Sequence, residues 1–188
     1  MSKIQKGEYG YLKKYKISKL IISLILAVMI AFVVLTTIII YGDTSNVLIV
    51  FAILLSLPLA KFIIAYILCS KFNSLNNEQY QTIISNFNET LLYDIAVTQY
   101  EGIMFYQSIL IKNGKIIAFV TDKNFNNNKN NYKKWIHNSV NDDKYTYNIT
   151  ILNDIDQYIK KINSVSTPND RNALIDKHMV ERLLNNCV

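Results

Sequence analysis

The chain has 188 residues, about half of them hydrophobic, with two cysteines and a formal charge of +6. Two lone thiols, Cys69 and Cys187, exclude a disulfide-stapled scaffold and fit a reducing compartment. Residues 1–71 hold eight Lys against Glu8 and Asp43, whereas residues 72–188 hold twelve basic and twelve acidic residues. The excess charge therefore belongs to the apolar end of the chain, which argues against a general nucleic-acid binder, whose Lys and Arg would sit on its folded module.

The first stretch, residues 1–19, reads as a basic cytoplasmic segment. It carries Lys3, Lys6, Lys13, Lys14, Lys16 and Lys19 against Glu8, interleaved with Tyr9, Tyr11 and Tyr15. Aromatic rings favour the headgroup level of a bilayer, and a nearby Lys gains about 1 kcal/mol from anionic lipid. Tyr9, Tyr11, Lys13, Lys14 and Tyr15 are therefore candidate lipid-facing or interaction residues. A sharper reading is a docking peptide for a protein partner, centred on Gly7-Glu8-Tyr9-Gly10-Tyr11, because an anchor alone has no need of Gly.

Two apolar runs follow, Leu20–Tyr41 and Val47–Leu68, separated by Gly42-Asp43-Thr44-Ser45-Asn46. Each has about the ~20 residues that cross a hydrocarbon core as a helix, and each is too long for a buried strand. The polar groups of the first run, Ser23, Thr36 and Thr37, can bond back to their own helix. The first run is also longer than a signal-peptide core, and no A-x-A-like cleavage site follows it. A transmembrane hairpin over residues 20–68 is expected. The lysines flank it on one side and Asp43 is alone in the loop, so loop 42–46 should lie outside and both termini in the cytoplasm. Pro58 should bend the second span. Lys61 lies seven residues from the end of the second run, or ~10 Å at 1.5 Å per residue, so its stem can snorkel. Alternatively it faces a partner helix or a water file. Neither span holds an acid to complete a relay.

Residues 73–188 pattern as a soluble α+β domain of order α-β-β-β-α-β-α-α. Tyr80, Ile83, Ile84 and Phe87 share one helical face over residues 77–89. Leu91–Thr98, Ile103–Ile111 and Lys115–Thr121 read as strands, with Asn113-Gly114 as a two-residue hairpin turn. Thr121–Asn131 reads as an Asn-rich loop and residues 129–141 as a helix. Tyr145, Tyr147, Ile149 and Ile151 alternate with polar residues as a fourth strand. Asn153-Asp154 caps a third helix, and residues 170–185 form the last.

No catalytic, cofactor-binding or metal-binding set emerges. His178 lies near Asp176 and Glu181 on one helix face, but one His and two acids are not a metal site. Cys187 at the terminus is expected to be frayed and exposed, with no base placed beside it. Residues 112–134 carry six Lys and only Asp122, which suits an anionic surface.

The α-β-β-β-α-β order over about residues 77–151 resembles the restriction-endonuclease-like core. That resemblance implies an acid in the second strand and an acid-x-Lys in the third, holding a divalent ion. Gly102–Lys112 contains no carboxylate, and Lys115–Thr121 ends at Asp122-Lys123 without the motif, so a nuclease-like site would be degenerate. The chain as a whole resembles a group of small two-span membrane proteins of low-GC Gram-positive bacteria. The resemblance lies in Lys6-Gly7-Glu8-Tyr9-Gly10-Tyr11, Leu57-Pro58-Leu59-Ala60-Lys61 and Leu91-Leu92-Tyr93-Asp94, and the Asn, Lys and Ile bias agrees with it. It implies a bacterial cell membrane and a cytoplasmic domain, and no activity. The expectation is a membrane-anchored, non-catalytic interaction or regulatory module. Its alternatives are a tethered nuclease-like enzyme and an immunity- or toxin-type protein acting through the hairpin.

Overall fold

The computed structural model describes residues 4–42, 47–87, 91–99, 102–122, 124–140, 147–165 and 170–187. They fall into two compact units, Leu12–Phe72 and a second made of Met1–Tyr11 with Asn73–Val188.

The first unit is the helix pair α1 (Tyr11–Tyr41) and α2 (Val47–Ser70). Both are long and apolar enough to cross a membrane. Their large side chains stay uncovered by protein: Leu24 is 66 % exposed, Phe32 66 %, Ile39 80 % and Leu57 68 %. The hydroxyls of Ser23, Thr36, Thr37 and Ser56 bond carbonyls three or four residues back in their own helix. The helical backbone and these four hydroxyls are thus satisfied without water, as hydrocarbon demands. Helix α1 starts at Tyr11 rather than near Leu20. At 1.5 Å per residue its 31 residues span roughly 46 Å, well beyond a ~30 Å core, so the lysine-bearing turns extend past the apolar run. Helix α2 runs unbroken through Pro58. The loop expected between the spans lies largely outside the described residues.

The second unit is a mixed sheet of β1 (Leu92–Gln99), β2 (Gly102–Lys112), β3 (Lys115–Phe119) and β4 (Asn148–Leu152), in that order. The first three strands form an antiparallel meander, and β4 runs parallel to β3 after a helical crossover. Helices α4 (Phe125–Val140) and α6 (Asp170–Asn185) cover one face, burying Ile116, Ala118, Ile151, Trp135, Ile136 and Met179. Helices α3 (Asn77–Asn86) and α5 (Ile155–Asn163) cover the other, burying Ile83, Ile117, Phe119, Tyr158 and Ile162. The continuous apolar run of β3 is explained by these two covers, since its alternate side chains feed both cores. The expected element order holds throughout this domain.

Asn113 (φ 52) and Gly114 (φ 70) make the β2–β3 turn left-handed at both positions, the geometry that matches strand twist. Asp176 on α6 grips this turn, accepting the Asn113 amide at 2.8 Å. His178 and Glu181 are exposed.

The Asn-rich loop is a correction. Helix α4 begins at Phe125, so Asn126, Asn127, Asn128, Asn130 and Asn131 are helical. Their weak propensity, a few tenths of a kcal/mol each, is outweighed by burial of Phe125, Tyr132 and Trp135. Asp122 completes the start of the helix. Its carboxylate accepts from the Asn124 amide, the Asn128 side chain and the Tyr132 hydroxyl. These bonds, the one from Asn128 first, hold the Asp122 carboxyl below its ordinary value. Its contribution is therefore complete above the ordinary carboxylate range near 4 and fades as pH falls through the lowered folded value. Asp122→Ala is expected to cost about 1 kcal/mol in urea unfolding at pH 7, and nothing at a pH low enough to protonate the folded carboxyl.

Candidate functional site

The site grows from an interruption in β1. Asp94 sits at φ 54, a left-handed conformation rare outside glycine. In the β1–β2 ladder Tyr93 faces Ser108 and Ile95 faces Tyr106, but Asp94 and the Gln107 across from it are left out of the pairing. Both are buried polar residues. Alternate residues of an unbroken strand share a face. Here Tyr93 joins the core under α3 and α5, whereas Ile95 and Val97 join the core under α4 and α6. Asp94 and Gln107 are thus where both strands exchange their faces. Gln107 holds the Thr121 amide at 2.9 Å.

The N-terminal residues dock on this interruption. The Gly7 carbonyl accepts the Tyr93 amide at 2.7 Å, and the Gly10 amide donates to the Asp94 carboxylate at 2.9 Å. The Tyr9 ring stacks on Tyr80 of α3 at 3.8 Å between centroids and stands edge-on to Tyr93 at 6.2 Å. Its hydroxyl donates to the Leu75 carbonyl at 3.0 Å. Lys6 Nζ donates to the Cys187 carbonyl at 2.8 Å. Gly7 is required twice over. Its φ is +90°, and a Cβ there would lie 3.2 Å from Leu92 and 3.3 Å from Leu184. Beside this strap lies an open cleft of about 470 Å³, lined among others by Lys6, Glu8, Tyr9, Tyr80 and Tyr93.

Burial, then Tyr80, pushes the Tyr93 phenol up to about 12. Burial, then the charge of Asp94, raises Tyr9. Both phenols stay neutral; the Tyr9 ring stacks and its hydroxyl donates, while Tyr93 meets Tyr9 and Tyr80 edge-on. Among the described residues, no three His, Cys, Asp or Glu side chains gather as metal ligands do. The acids nearest to a nuclease pattern have other partners: Asp94 receives the strap, and Asp122 holds the start of α4.

The sequence candidates separate. Tyr9 belongs to the sheet domain. Lys13 and Lys14 are exposed and Tyr11 and Tyr15 half-buried on the first turns of α1, with Lys19 Nζ 4.9 Å from the Tyr15 ring centroid and 5.0 Å from that of Phe62. Lys61 is exposed on α2. Residues 5–10 are thus held by the sheet domain, whereas residues 11–19 are helical. Cys187 is another correction. It is buried, bridges to Val97, donates its thiol to the Leu183 carbonyl, and is pushed up to about 12 by burial. Tyr80, Tyr93 and Asp94 were not singled out as site residues by pattern. The Gly pair around Tyr9 was the legible signal: both take positive φ, and at Gly7 Leu92 and Leu184 also crowd out a Cβ.

No family model matches the chain, and neither a curated protein nor a solved structure matches it.

Proposed function

We propose that this is a membrane-anchored, non-catalytic interaction module of a bacterial cell membrane. In this reading α1 and α2 span the bilayer, both termini are cytoplasmic, and the sheet domain binds a protein partner at the inner leaflet. The observation that carries it is the pair of helices whose large apolar side chains find no protein cover, flanked at one end by lysines. Exposed apolar area on this scale needs lipid or another chain. The basic first turns of α1 fit anionic headgroups. Recognition is favoured over catalysis by a site of neutral phenols and backbone amides in which Asp94 is held by the Gly10 amide and Lys6 by the Cys187 carbonyl. The test is affinity capture of the full chain from solubilised membranes, beside a Tyr106→Ala variant with a disrupted domain. A protein enriched by the native chain and lost with Tyr106→Ala is expected. Equal capture by both, or by residues 1–72 alone, contradicts a domain-borne function and favours action through the hairpin.

A further inference from the structure

Strand β1 has β2 on one side only, so its other side is a sheet edge. An open edge offers unpaired amides to any extended chain. Here both ends of the chain lie along it. Gly7 accepts the Tyr93 amide, and Asn186 accepts both the amide and the hydroxyl of Thr98 at 3.1 Å. Cys187 bridges to Val97, and Lys6 joins the two ends through the Cys187 carbonyl. Tyr93 and Thr98 are five positions apart, and amides of an unbroken strand alternate in direction, so these two would face opposite ways. The left-handed residue between them, Asp94, resets the alternation and turns both toward the edge. A buried acid in a strained conformation is thereby given a reason, because it builds an edge that takes backbone at both ends.

We propose that the β1 edge with the Tyr80–Tyr93 slot is a peptide-docking site, covered by residues 5–10 and 186–187 acting as one latch that Lys6 locks. The partner it fits is a turned segment of the form Gly-x-Tyr-Gly, with positive φ at both glycines as in Gly7 and Gly10: glycine where Leu92 and Leu184 close in, an aromatic ring against Tyr80, and a backbone amide for Asp94. This inference concerns the sheet domain and stands whether or not α1 and α2 cross a membrane.

The test is amide hydrogen exchange on the full chain in detergent, read at Tyr93 and Thr98 with β3 amides as reference. In Gly7→Val the strap cannot seat. Both amides are expected to exchange about tenfold faster or more while β3 stays protected. A synthetic peptide of residues 4–11 should restore protection at both, and the same peptide with Val for Gly7 should not. Acceleration of Tyr93 alone, or no re-protection by the native peptide, overturns the proposal. Should Gly7→Val also expose β3, Lys6→Met supplies the decision. It keeps the strap sequence and removes only the ammonium, and an unchanged Thr98 rate in it overturns the latch.

Discussion

Val28→Asp combined with Phe32→Asp is expected to keep α1 out of the bilayer, whereas either change alone leaves it inserted. The apolar run of α1 holds fifteen Leu, Ile, Val or Phe residues between Leu20 and Tyr41. At about −0.3 to −0.6 kcal/mol each, they favour insertion by roughly 4–9 kcal/mol, an upper bound because residues near the ends count for less. One Asp at the centre costs about 2.5–3.5 kcal/mol and is absorbed. Two cost about 5–7 kcal/mol and bring the balance to zero or beyond. Positions 28 and 32 are four apart, so the charges also repel along one helix face. Alkaline carbonate extraction of residues 1–46 alone reads the result without α2: that segment and each of its single variants should pellet with membranes, and the pair should be released. Were α1 a solvent-facing helix of a soluble protein, the substitutions would be neutral and the native segment would itself be extracted.

The second large effect is expected inside the sheet domain. Tyr106 is fully buried, stands edge-on to Tyr132 at 5.6 Å, and donates its hydroxyl to the Tyr132 carbonyl at 2.8 Å. Burial places its phenol far above the ordinary value, so it is a neutral donor at any working pH. Tyr106→Ala removes the ring at the junction of β2 and α4 and takes the phenol donor from that carbonyl. Large aromatic deletions in cores cost about 3–5 kcal/mol, a large part of the 5–15 kcal/mol that holds a domain. Tyr106→Phe keeps the ring and should cost about 1 kcal/mol, for one lost hydrogen bond, because the Tyr132 carbonyl lies inside α4 and keeps its helical donor. Denaturant unfolding of the full chain in detergent, followed by Trp135 fluorescence, orders the three proteins. Equal stability of Tyr106→Ala and Tyr106→Phe would show that the ring contributes nothing there.

What was legible in the sequence follows from the range of each signal. Apolar runs of twenty residues and the Asn113-Gly114 turn are local, and both elements formed where they were expected. The alternation of β4 and the stripes of α3 and α5 are equally local. The helix through Asn126–Asn131 was hidden because its cause lies elsewhere, in burial against the sheet and in Asp122 beyond its first turn. The strap was half legible. Gly7 and Gly10 set the backbone around Tyr9 apart from a plain anchor, but its seat on Tyr80, Tyr93 and Asp94 lies about seventy to eighty-five positions away, beyond any periodicity. Cys187 was misplaced for the same reason. Terminal residues fray unless something holds them, and here Val97 and Lys6 do.

The measurement that bears most directly on the account is the sidedness of two introduced thiols, with a membrane-impermeant maleimide applied to intact and then permeabilised spheroplasts. Cys69 and Cys187 are both buried, so the unsubstituted chain supplies their background. Ser45→Cys lies in the loop between the apolar runs, and Lys177→Cys lies on the exposed side of α6. The account predicts labelling of Ser45→Cys in intact spheroplasts, and of Lys177→Cys only after permeabilisation. Labelling of Lys177→Cys in intact spheroplasts would contradict it, placing the sheet domain and its edge outside the cell.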